Sequence, residues 1–230
     1  MPVSKTDSAL QGRSKTSKGE ETRERIILAT LNIIMRDGMR SVRHRAVAAE
    51  AGVPLGATTY HFKDIEDLIV SAFSHWCNSA EMTSKPYVTE IVAYLEANAP
   101  RLRESHEGRM ELAVAMYRHS IAYELDQIES GHDNRVIELA FYHESLHNDR
   151  LRQQVFAYWQ TELDGLTSLY EAIGSPSPEA DARIAQSVFH QLEREAMMLG
   201  DAYELDTIKK VLRRLIGHAL DVDLGGVTDI

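Results

Sequence analysis

The chain has 230 residues, 43% of them hydrophobic and 26% charged, with a formal net charge of −10. That length holds one large domain, or a small one joined to a larger one, and a single cysteine, Cys77, excludes an internal disulfide framework and favours a reducing cytoplasm. No apolar run reaches the roughly 18 residues that a membrane span needs, so no membrane is expected among the partners.

Residues 1–19 are rich in Ser, Lys and Gly and have no apolar stretch, so they are expected to be a disordered tail and not a signal peptide. Beyond them, apolar residues recur at helical spacing and no segment alternates as a strand would, which makes the expected fold all-α. The first helix is predicted over 22–37, with Ile26, Ala29, Ile33 and Ile34 on one face and Gly38 as its stop. A short helix follows over 43–51, ended by Gly52, and a third starts at Pro54 and runs to about Phe62. Asp64 is the predicted cap of a fourth helix, with Asp67 at its third position, and that helix passes Trp76. Pro86 is expected to open a separate helix over 86–99. Further helices are predicted over 108–130, over 134–147, from the cap in "NDR" to Ile173, and finally over 179–199 and 205–220.

Charge divides the chain. Residues 1–64 carry 11 Lys and Arg against 7 Asp and Glu, whereas residues 65–230 carry 14 against 28. A basic head on an acidic body suggests that only the head meets a polyanion. The expected organisation is therefore a tail over 1–19, a DNA-binding domain over 20–64 and an effector-binding and dimerisation domain over 65–230.

The head's most informative stretch is "SVRHRAVAAEAGVPLGATTYHFKDIEDL", residues 41–68. A short helix, a glycine turn and a second short helix make a helix-turn-helix, whose second helix enters the major groove of double-stranded DNA. That helix offers Leu55, Ala57, Thr58, Thr59, Tyr60 and His61. Thr suits a base edge or a thymine methyl, and Tyr60 and His61 suit phosphates. Arg43, His44 and Arg45 before the turn, and Lys63 after it, stand within reach of the backbone.

From Thr22 to Phe73 the chain resembles the Tet repressor (TetR) family. The resemblance rests on "TRERIILATLNIIMRDG", on "VAAEAGVPLG" across the turn, and on "YHF" followed by "EDLI". Two positions depart from the family. Thr59 stands where Tyr is usual, with Tyr60 next to His61, and Ile65 stands where Lys is common, with Lys63 as the nearby substitute. The resemblance implies a three-helix DNA-binding domain, a connector helix and an all-α domain that dimerises and often binds a small effector. It implies a cytoplasmic repressor that leaves a palindromic operator when a small molecule binds.

Two apolar stripes close the chain. Ala182, Ala185, Phe189, Leu192, Ala196 and Leu199, with Val188 alongside, form one; Ile208, Val211, Leu212, Leu215 and Ile216 form the other. Read alone they fit a seam inside the chain equally well, and the resemblance implies a homodimer interface. Effector contacts are expected among Met110, Tyr117, Tyr123, Tyr142, Phe156 and Trp159, the apolar and aromatic residues of the body.

The stretch "HESLH", 143–147, fits the H-E-x-x-H zinc pattern, in which two histidines ligate and the glutamate acts as base. "NDRLRQQ" follows it, and no His or Glu comes before Glu162 to supply a third ligand. The stretch also falls at a predicted helix end, where the dipole favours His. No metal, no cofactor and no catalytic residue is expected. A zinc-dependent hydrolase is the alternative reading, and a TetR-like regulator controlled by a protein partner is a third.

Overall fold

The computed structural model describes residues 18–227, and only the backbone over 81–86. Most of the expected tail lies outside the described residues; Lys18 and Gly19 already belong to the first helix. Among the described residues there are nine α-helices and no strand, as the sequence pattern predicts.

Helix α1, Lys18–Asp37, buries Ile26, Ile27, Ala29, Ile33 and Ile34 along one stripe. Thr30 is buried there too and donates its hydroxyl to Ile26 O at 2.8 Å, so no polar atom is stranded. Gly38, at φ 78°, turns the chain where other residues would be strained. Helix α2, His44–Ala51, ends on Gly52 in the left-handed region, and Arg25 of α1 donates to Ala51 O at 2.6 Å and to Gly52 O at 3.2 Å. Helix α1 thereby grips the turn that orients α3, Leu55–His61.

Helix α4, Ile65–Leu102, starts on a reciprocal cap. Asp64 accepts from Asp67 N at 2.7 Å, and Asp67 accepts from Lys63 N at 3.1 Å. The helix continues unbroken through position 86, which corrects the expected separate helix over 86–99. A proline inside a helix costs one N–H···O bond and about 3 kcal/mol. Helix α4 can bear that because it is anchored at both ends, by Leu68, Ala72, Phe73 and Trp76 on one side and by Leu95, Ala99 and Leu102 on the other.

The body then runs through α5 (His106–Ser130), α6 (His132–Ser145), α7 (Asp149–Ala172), α8 (Pro178–Leu199) and α9 (Leu205–Leu220). Side-chain caps set two of the starts: Ser105 accepts from Gly108 N at 3.0 Å, and Asn148 accepts from Leu151 N at 3.1 Å.

Two apolar cores form. The first joins α1 to α4 with Ile137 and Phe141 of α6 and Leu151 and Val155 of α7. The second joins the far half of α4 with α5, α7, α8 and α9. The stripes at the end of the chain mostly face this second core: Ala182, Ala185, Leu192, Ala196, Ile208, Leu212 and Ile216 are all buried within the single chain. These seven form an intramolecular seam, which corrects their use as interface contacts. Leu199 of the same stripe faces outward, with Ile184, Met198 and Leu205.

Candidate nucleic-acid interface and a buried acidic cluster

The outward side of the helix-turn-helix presents Leu55, Thr59 and Tyr60 from α3, with Arg43, Arg45 and Lys63 around it, all exposed. Tyr60 is 84% exposed and leans edge-on against His61, ring centroids 5.0 Å apart. An aromatic this open has no packing role to explain it. Ala57 and His61 are half-buried at the edge of the same face.

Thr58 is placed otherwise. It is 0% exposed, its hydroxyl donates to Leu55 O at 2.8 Å, and the same oxygen lies 3.1 Å from His44 Nδ1. A side chain sealed from solvent meets no base edge, so Thr58 is corrected from a base contact to a brace. Because the hydroxyl's one proton goes to Leu55, His44 must donate from Nδ1. His44 is thus turned inward, tying the start of α2 to the middle of α3. Arg23 of α1 completes the support, with its guanidinium 5.0 Å from the centroid of the buried Phe62.

The six expected effector contacts do not line one space. Tyr117 is buried in the second core under the Arg213 guanidinium at 5.2 Å, and Met110 packs on that core's margin. Tyr142 and Trp159 pair at 4.9 Å, and Phe156 is 65% exposed. Tyr123 differs. It makes edge contacts with Tyr87 at 5.7 Å and Phe189 at 6.1 Å, and it faces a group of buried charges that sequence reasoning missed.

That group is acidic. Arg135 of α6 pairs with Glu138 and, at 2.9 Å, with Glu193 of α8; it also donates to Gln127 at 3.1 Å. Burial opposes its charge, but Glu138 and Glu193 together hold its pKa above the usual arginine value. Glu162 of α7 bonds Tyr158 and lies 3.5 Å from the Gln186 amide. Burial pushes Glu162 and Glu193 up to about 7, with Glu138 adding to both. Glu124 of α5 is 0% exposed, and burial, reinforced by Glu193 and opposed by Arg135, pushes it up to about 9. Neither of its carboxyl oxygens has a hydrogen-bond partner. A signal was present: Tyr117, Ile121, Glu124 and Ile128 keep helical spacing, so Glu124 sits on the apolar stripe of α5.

At "HESLH" helix α6 stops at Ser145, so His147 lies in the following turn and not one helical turn above His143. Both rings are exposed, with centroids 5.6 Å apart. Among the described residues no three His, Cys, Asp or Glu side chains gather as a metal site would require.

No family model matches the chain. Solved structures do. A member of the TetR family from Streptomyces coelicolor A3 is 27% identical, with a TM-score of 0.58 over 85% of this chain and 98% of its own. The multidrug binding protein EbrR, complexed with ethidium, is 28% identical, with a TM-score of 0.54 over 85% of this chain and 98% of its own. A transcriptional regulator from Rhodococcus sp. Rha1 shares the fold, with a TM-score of 0.60 over 86% of this chain and 96% of its own at 20% identity. A basic helix-turn-helix held on a larger helical body, together with these likenesses, defines a DNA-binding regulator of transcription. The chain is similar to the TetR family over most of its length, as the head's motifs implied. No helix among the described residues is long and apolar enough to cross a membrane.

Proposed function

We propose that the chain is a cytoplasmic homodimeric repressor, with residues 20–64 as reading head and 65–230 as effector-binding and dimerisation domain. It leaves a palindromic operator when a small molecule binds the body. One observation carries the reading: α6 belongs to both halves. Its Ile137 and Phe141 pack in the head's core, while Arg135 and Glu138, within one turn of Ile137, belong to the buried acidic cluster. Anything that rearranges the cluster must move a helix on which α1 and α4 rest. Arg150 adds a polar link, 3.5 Å from the cap residue Asp64 and 3.6 Å from Asp67. EbrR, complexed with ethidium, proflavin and malachite green, supports a body that accepts small organic molecules.

On DNA, Arg43, Arg45, Lys63, Tyr60 and His61 serve the phosphates, and Leu55, Ala57 and Thr59 the base edges. Two heads must fit successive major grooves at once, so a small tilt of each costs both sets of contacts. The coupling this requires is about 1–3 kcal/mol. The dimer uses the outward side of α8 and α9, where Ile184, Val188 and Val211 line an open groove and Met198 is 86% exposed. Fluorescence anisotropy on the DNA upstream of the protein's own coding region tests the reading. Binding should weaken steeply with salt, and an unchanged affinity in Arg43→Ala and Tyr60→Ala would sink it. Ile184→Glu should yield monomers in sedimentation.

A further inference from the structure

Carboxylates from four helices, Glu124, Glu138, Glu162 and Glu193, surround one guanidinium, Arg135. Arg135 satisfies Glu138 and one oxygen of Glu193. The other Glu193 oxygen and both oxygens of Glu124 are buried with no partner. A network kept only for stability closes on itself, and apolar residues of like volume usually serve as well. This one is left open at those oxygens and at Arg135 Nε.

We propose that this cluster binds an organic cation between α5, α6, α7 and α8, with Glu124 as its counter-charge and Tyr123 as an aromatic wall. The proposal rests on the regulator reading above and names the chemical class of the effector. The acids outnumber the bases, four carboxyls against Arg135 with Arg194 acting on Glu193, which disfavours an anion, and an entering cation would release the proton that burial holds on Glu124. A hard metal ion is disfavoured because it takes six or more oxygen ligands, and no group of ligating side chains forms among the described residues. Aromatic rings flank the acids on two sides. Tyr123 stands with Tyr87 and Phe189, and Tyr158, bonded to Glu162, stands 5.6 Å from Trp76. Rings beside carboxylates suit a weakly hydrated cation with an apolar body, held by both charge and ring faces.

Isothermal titration calorimetry of the full-length protein without DNA tests this. The probes are tetramethylammonium, malachite green and tetraphenylphosphonium, the last set against tetraphenylborate, its anion of equal shape. At least one cation should saturate at one per protomer, and tetraphenylborate should bind at least 100-fold more weakly than tetraphenylphosphonium. Glu124→Gln should lower the cation's affinity at least tenfold while unfolding at or above the wild-type temperature, and Tyr123→Leu should lower it several-fold. The proposal is overturned if no cation binds, if the isosteric pair bind alike, or if Glu124→Gln binds like wild type or unfolds below it. Upstream-DNA binding by the wild-type protein, measured in parallel, separates the two readings. Intact DNA binding without cation binding sinks this proposal alone, and cation binding without DNA binding sinks the regulator reading alone.

Discussion

The head and the body treat charge in opposite ways. In the head, Arg43, Arg45 and Lys63 are exposed, while the interior is apolar or closed by local bonds such as Thr30 to Ile26 and Thr58 to Leu55. In the body, acids are driven inward, and Glu124 has no hydrogen-bond partner. Exposed charge costs little and waits for a partner met at the surface. A buried carboxyl without a hydrogen-bond partner costs stability, and a ligand that enters can relieve it. The head's chemistry is therefore on its skin and the body's is in its interior.

Arg135→Met should break this contrast most severely. It strands Glu138 and Glu193 together, and denaturant unfolding should register a loss of about 3–5 kcal/mol. Refilling the site with Arg135→Met, Glu138→Leu and Glu193→Leu should recover most of it. Tyr60→Ala probes the other side. Operator affinity should fall by about 1–3 kcal/mol, with the melting temperature unmoved because the ring touches little.

Acidity sharpens the comparison further. A carboxyl raised from 4.5 to about 9 binds its proton more tightly when folded, so its contribution is complete below about 4.5 and is lost as pH rises through 9. Glu162 and Glu193 titrate in the same sense, and the lowered pKa of His190 acts against them at the acid end. Comparing variants isolates Glu124: the melting-temperature advantage of Glu124→Gln over wild type should be small at pH 5 and grow steadily toward pH 9. A constant difference would mean that Glu124 is not held protonated.

Thr58→Ala should cost about 1 kcal/mol of stability and weaken every operator variant alike; a changed preference at one base position would return Thr58 to the surface. Smallest of all, His143→Ala and His147→Ala should change stability by less than about 0.5 kcal/mol, and metal content of untagged protein should be the same with and without them.

Local rules carried much of the architecture. The Asp64–Asp67 cap, the Gly52 turn and the Asn148 cap are signals within four residues, and each helix they mark starts or stops within two residues of its expected place. Pro86 misled because its local penalty is outweighed by packing from Leu68 to Trp76 on one side and from Leu95 to Leu102 on the other. The last two helices misled differently: periodicity gives the existence of an apolar stripe but not which neighbour covers it. Thr58 and Thr59 could not be told apart by residue type, since one rotation of about 100° per residue decides which faces solvent. The acidic cluster escaped because each of its members resembles a surface charge until four helices bring them together. An acid on an apolar stripe was the available warning.

The double membership of α6 also constrains how such a protein can diversify. Arg135 cannot be exchanged to suit a new effector without disturbing the helix that Ile137 and Phe141 hold against the head. Glu124 and Tyr123 on α5, and Glu193 on α8, carry no such second duty in the first core. On the proposed reading, chemical preference is free to change through α5 and α8, while α6 is held fixed as the link between cluster and head.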